Sequence, residues 1–159
     1  MKILSTAILI ACVPLTTASA QLGKDASYFC IAEIAGGLSY DQGLKKWKGA
    51  EFSTNGRFVL RLKHLRTRVE QGILPDGIVH DYNVGITDAG RNVPRSCVAR
   101  SEEPVTVPEV GWLVCTAGLR EYRFNLRTNR FLSIFLIGYI DGDDNNSPLI
   151  EGGTCTKID

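Results

Sequence analysis

Histidine and methionine are scarce in this chain: 159 residues hold two histidines, His64 and His80, and one methionine. No G-x-S-x-G elbow, H-E-x-x-H helix or glycine-rich phosphate loop occurs, so the common motifs of hydrolases, zinc proteases and nucleotide-binding enzymes are excluded. No C-x-x-C pair occurs, and the histidines are not spaced with the cysteines as ligands, which argues against zinc. No cofactor is expected. Long apolar runs are missing too. The two most apolar stretches, Ile3 to Val13 and Phe131 to Ile140, are roughly eleven and ten residues long, against about 20 for a membrane span. An excess of charge is also absent: without Lys2, the balance is 17 basic residues against 17 acidic. A neutral total gives no general steering toward nucleic acid or a membrane surface. No internal repeat, low-complexity tract or linker interrupts the chain.

What is present begins with an export leader. Lys2 gives a positive start, Ile3 to Val13 form the apolar stretch, and Ala18-Ser19-Ala20 match the small-x-small pattern before a signal-peptidase cut. This predicts a signal peptide over residues 1–20 and one domain over 21–159, working in the periplasm or as a secreted protein. A rival reading takes Leu9-Ile10-Ala11-Cys12 as a lipobox with a lipid anchor at Cys12. The short stretch before Cys12 and the good downstream site favour simple cleavage. After cleavage four cysteines remain, an even number, which in an exported domain predicts two disulfides. Of three connectivities we favour Cys97–Cys115, closing a short loop, and Cys30–Cys155, tying the first mature strand to the last.

The patterning is that of strands and turns. Tyr28 to Ile34 reads as a first strand, Gly36-Gly37 as a bulge or bend, Asp41-Gln42-Gly43 as a turn, and Trp47 to Phe52 as a short strand. Asp41 to Lys48 could instead make two helical turns, which Gly43 weakens. Asn55-Gly56 between Phe52 and Phe58 signals a hairpin. Phe58, Leu60 and Leu62 alternate with Val59, Arg61 and Lys63, as in a strand with one buried face. Residues 64–80 are ambiguous, with a turn at Pro75-Asp76-Gly77, and Ser101 to Pro108 reads as an exposed loop or edge. Trp112 to Cys115, Tyr122 to Leu126 and Phe131 to Tyr139 read as a meander, and Leu149 to Ile158 closes the sheet. The fold class expected is all-β, a small antiparallel sandwich or barrel with two disulfides.

Candidate sites are few. Arg57, Arg61, Lys63, Arg66 and Arg68 cluster in one strand region, and Arg120, Arg123, Arg127 and Arg130 recur in the meander. If these strands are neighbours, Arg61, Lys63, Arg123 and Arg127 would face an anionic partner such as lipopolysaccharide, an acidic glycan or an acidic protein. The bland alternative is a solvated face whose arginine stems cover apolar surface. Asp141, Asp143 and Asn145 place oxygen ligands at alternate positions, a weak calcium candidate whose register then departs from an EF-hand; a charged hairpin tip is the favoured reading. His80-Asp81 would point to opposite faces of a strand. Nothing selects a glycosidase pair among Glu33, Asp41, Asp76, Asp81 and Glu109. Trp47, Trp112, Tyr122 and Phe124 could stack sugars, but at strand spacing such residues are more often core.

Three stretches carry a resemblance: Gly36-Gly37-Leu38-Ser39-Tyr40-Asp41 with Trp47 and Phe52, Phe124 to Phe131 with Gly138-Tyr139, and Glu151-Gly152-Gly153-Thr154-Cys155. The pattern resembles a group of small exported proteins of rhizobia and related α-proteobacteria of unassigned function. It implies a Gram-negative envelope setting and brings no catalytic or binding residue with it. Lysozyme inhibitors share the architecture of a small disulfide-bearing periplasmic β protein, but no inhibitor motif maps onto these residues. The function expected is an exported, non-catalytic binding domain whose partner is an envelope glycan or protein. The alternatives are an envelope hydrolase using a carboxylate pair, or a structural envelope protein.

Overall fold

The computed structural model describes residues 22–71, 77–100 and 104–159. The leader, Cys12 and Asp76 lie outside the described residues. Ten strands follow one another: β1 (Ala26–Asp41), β2 (Lys46–Glu51), β3 (Arg57–Glu70), β4 (Gly77–Asp88), β5 (Arg95–Cys97), β6 (Val105–Pro108), β7 (Trp112–Ala117), β8 (Arg120–Asn125), β9 (Arg130–Phe135) and β10 (Leu149–Lys157). They form one antiparallel sheet in the order β5-β4-β3-β1-β10-β9-β8-β7, with β2 added to β1 and β6 to β4. The sheet curls until its two ends meet at a single bridge, Val98 to Thr116. Two backbone hydrogen bonds of 3.0 and 2.8 Å make that bridge. No continuous ladder closes the curl, so it is an open barrel. No helix among the described residues is long and apolar enough to cross a membrane.

Both disulfides have the expected pairing, Cys30–Cys155 and Cys97–Cys115. Cys30 and Cys155 are direct partners across β1 and β10, the central pair of the sheet. Cys97–Cys115 ties β5 to β7 beside the lone bridge, where hydrogen bonding alone is thin. The alternation of β3 points Phe58, Leu60 and Leu62 inward. They meet Tyr28, Ile86, Leu113, Tyr122, Phe124 and Phe131 in the core. Phe58 packs edge-on against Tyr122 and Phe131 at 5.3 and 4.9 Å, and each such pair adds about 1 kcal/mol to the burial.

Two bulges set which residues face out. In β1 the pairing with β10 shifts between Ala32 and Ile34. Tyr28, Cys30 and Ala32 face inward, and the extra residue Glu33 then reverses the alternation, so Ile34 points to solvent, 70% exposed. In β3 the shift lies between His64 and Arg66. The extra residue there, Leu65, puts Thr67 on the side of the sheet that His64 occupies. The bend expected at Gly36-Gly37 is continuous strand, and the irregularity lies at Glu33. The glycines answer close approaches instead. A Cβ on Gly153 would lie 2.0 Å from the Ile31 carbonyl oxygen, and one on Gly37 would lie 2.0 Å from that of Pro148.

Other expectations are corrected. Asn55-Gly56 does not close a β2–β3 hairpin, because both strands pair with β1, at opposite ends of the same edge. Residues 42–45 are a turn and not a helix; the Asp41 carboxylate accepts hydrogen bonds from the amides of Gly43 and Leu44. Val105 and Val107 of β6 are buried against the core, so residues 105–108 are not an exposed loop; among the described residues they pair with β4 alone, as an edge strand, the other reading of this stretch. The strand read over Phe131 to Tyr139 stops at Phe135, where pairing with β10 begins at Leu149. Residues 136–148 form the connection, with Tyr139 and Ile140 exposed.

Candidate functional site

The four cations expected to share a patch do not come together. β3 carries Arg61 and Lys63, and β8 carries Arg123; β1, β10 and β9 lie between those strands. Arg61 and Lys63 line a shallow recess together with Asp25 and Asp159, and Arg61 donates to the Thr87 hydroxyl at 3.1 Å. Arg123 is held by Glu121 at 2.6 Å, and Arg127 by Glu109 at 3.5 Å. Each pair of cations therefore has acids beside it.

The main recess lies on the outer face of β7, β8, β9, β10 and β1. Strand register lays out its floor in rows. One row runs Val114, Arg123, Leu132, Gly152, Ile34; the next runs Trp112, Asn125, Arg130, Thr154, Ile31. Gly152 has no side chain, and Ile34 and Leu132 close over it; a Cβ there would lie 3.2 Å from each. The resulting ridge borders a groove of about 530 Å³. Trp112 forms one wall at 52% exposure. Glu33, Asn125, Thr128, Arg130 and Thr154 supply polar groups around it. Of the four aromatic residues considered for sugar stacking, Tyr122 and Phe124 are core. Trp47 packs between Tyr40 and Tyr139, 5.5 Å from each. Trp112 alone of the four borders this groove.

A second recess, about 450 Å³, opens at the end of the barrel where β3 begins and β4 ends. One wall is a row of polar groups from the inner face, and Arg57 and Arg91 lie at its exposed rim. Tyr122, Ser133 and Glu151 lie in one register row across β8, β9 and β10. Arg120 donates to the Ser133 hydroxyl at 3.0 Å and to Glu151 at 2.8 Å. Arg95 donates to both Asp88 oxygens at 2.9 Å and to the Tyr122 hydroxyl at 3.3 Å. Burial pushes the Tyr122 hydroxyl up from its ordinary value, against the Arg95 charge.

Sequence reading missed two polar clusters at the other end. Asp81, with 2% of its side chain exposed, accepts from Arg66 at 2.7 Å, Arg68 at 3.1 Å and Thr106 at 2.8 Å. Burial alone would raise its carboxyl, but these hydrogen bonds and charges outweigh burial and hold it at about 2. On the opposite face of β4, His80 contacts Glu109 at 3.3 Å and the Thr67 hydroxyl at 2.9 Å, and Thr67 contacts His64 at 3.1 Å. For neutral rings the complementary assignment is a one-way chain: His64 Nε2 donates to Thr67, Thr67 to His80 Nδ1, and His80 Nε2 to Glu109. The acid–histidine–hydroxyl order is that of a nucleophilic triad, but none of the recesses described above is lined by Thr67. The bulge at Leu65 sets this cluster, and sequence alternation carries no sign of it.

The calcium candidates serve as turn caps. Asp141 accepts from the Gly138 amide, and Asp143 accepts from the amide and side chain of Asn145. Asn145 thus donates to Asp143 instead of offering its oxygen beside it. Among the described residues no group of three or more His, Cys, Asp or Glu side chains is placed to hold a metal. Comparison of the chain with protein-family models, with curated proteins and with solved structures finds no match.

Proposed function

We propose that this chain is an exported, non-catalytic binding domain of the bacterial envelope, and that it holds a glycan in the Trp112 groove. One observation carries the reading: a half-exposed indole walls a groove of about 530 Å³ whose rim is made of amide, guanidinium, carboxylate and hydroxyl groups. A sugar ring presents apolar C–H faces and hydroxyl edges. The indole suits the first, and the planar polar groups suit the second. The volume falls in the range of small-ligand sites. Export rests on the leader, and the two disulfides suit an oxidising compartment. Arg123 is already paired with Glu121, and Glu33 offsets Arg130, so the groove has little net charge. Glycan retention should therefore survive about 1 M salt, where screening acts within about 3 Å.

The test is retention of envelope glycans on the immobilised exported chain, compared with Trp112→Ala. Binding that survives salt and is lost in the variant supports the site; equal retention by both proteins removes it. The hydrolase alternative has one observation in favour, since Asp88 and Glu151 line the same end recess. Both carboxylates are already engaged by guanidinium groups, Asp88 by Arg95 and Glu151 by Arg120.

A further inference from the structure

The end recess brings together one arginine from each basic run of the sequence, Arg57 and Arg120, and adds Arg91 and Arg95. Four arginines line it with two carboxylates, Arg57 and Arg91 from its exposed rim. Arg95 is matched to Asp88, and Arg120 to Glu151. Among the described residues, neither Arg57 nor Arg91 forms a salt bridge. The recess therefore carries a surplus of two positive charges.

We infer that this recess is a binding site for a phosphate monoester, separate from the groove on the outer face. The surplus matches the charge of such a group, about −1.5 to −2 near neutral pH. The site is built before the ligand arrives. Glu151 and Ser133 are 8% and 2% exposed, fixed by strand register, and they hold Arg120 in place. Asp88, the Tyr122 hydroxyl and the Ala117 carbonyl do the same for Arg95. A guanidinium carries five N–H donors in a fixed fork. Arg120 spends only Nη1 on Ser133 and Glu151, leaving Nε and Nη2 without a partner in these contacts. Arg57 and Arg91 bring the charge that these internal pairs leave unmatched. Guanidinium groups suit phosphate because two parallel N–H donors meet two oxygens. A cavity of about 450 Å³ is larger than a phosphate group and has room for an organic part. Barrel mouths with a few convergent polar groups are common ligand sites.

The phosphate monoester could be free or displayed on a lipid headgroup, and calorimetry on the full exported chain separates the two. The probes are inorganic phosphate, glucose 6-phosphate, and vesicles containing phosphatidic acid, each at low salt. The expected result is saturable binding of glucose 6-phosphate, weakened at least about tenfold by Arg57→Gln and by Arg91→Gln. Trp112→Ala should leave it unchanged, which keeps this site distinct from the groove. Binding of vesicles alone, with the same dependence on Arg57 and Arg91, supports the site and assigns the source to a headgroup. Both arginines lie at the exposed rim, so thermal melting of the variants should match the parent. Absence of binding to all three probes, or binding that both variants retain, overturns the proposal.

Discussion

Acidification should destabilise this protein through one carboxylate in particular. Asp81 is almost fully buried between Arg66, Arg68 and Thr106, and its carboxyl is held at about 2, against 3.8 in the unfolded chain. A depressed folded value means that the full stabilisation is present above about pH 4. As pH falls below that, the unfolded chain takes up a proton that the native chain refuses, and the advantage is lost by about pH 2. The shift corresponds to about 2 kcal/mol. Asp81→Asn has no such titration. It lowers stability at neutral pH, because two guanidinium groups lose their carboxylate, but its further loss on acidification should be smaller. Urea unfolding of both proteins, disulfides intact, between pH 5 and pH 2 measures this. The parent should lose about 2 kcal/mol more than the variant over that range. Other carboxylates contribute equally to both proteins and cancel in the difference. Parallel pH profiles would refute the assignment of this stability to Asp81.

Three further outcomes are expected. Gly153→Ala must move β1 away from β10, since the new methyl would lie 2.0 Å from the Ile31 carbonyl oxygen; thermal melting should show a loss of at least about 2 kcal/mol. Replacing Cys30 and Cys155 by serine opens a loop of 125 residues, and replacing Cys97 and Cys115 opens one of 18. In the chain-entropy model the losses are about 5 and 3 kcal/mol, so denaturant midpoints should fall further for the first pair. Trp112→Ala should leave the melting temperature almost unchanged, because the indole is 52% exposed and stands outside the core.

Much of the fold was legible in the sequence because its signals are local. The alternation at Phe58, Leu60 and Leu62 gave the buried face of β3. Asp41, and Asn125 just before the 127–130 turn, carry side chains that accept from backbone amides close by. The cysteine pairing followed from the expectation that the first and last strands are neighbours. What was not legible depends on register. The bulges at Glu33 and Leu65 reverse the alternation in mid-strand, and no residue type announces them. Plain alternation would carry the inward row of Tyr28, Cys30 and Ala32 on to Ile34, which instead lies outside and borders the groove. His64, Thr67, His80 and Glu109 come from three separate segments and meet only once the Leu65 bulge is in place. Arg57 and Arg120 were visible as members of two basic runs. Which members of the runs would meet depended on how the sheet curls, and that brought these two together in place of Arg61 and Arg123.

The most direct measurement of the central claim is glycan binding to the disulfide-bonded domain and to its Trp112→Ala variant, at low salt and at about 1 M salt, where charge pairs are screened within about 3 Å. The account predicts that the parent retains envelope glycan under both conditions and that the variant, equally stable, retains none. Retention that disappears with salt but not with Trp112→Ala would contradict it and place the contact on the arginines instead.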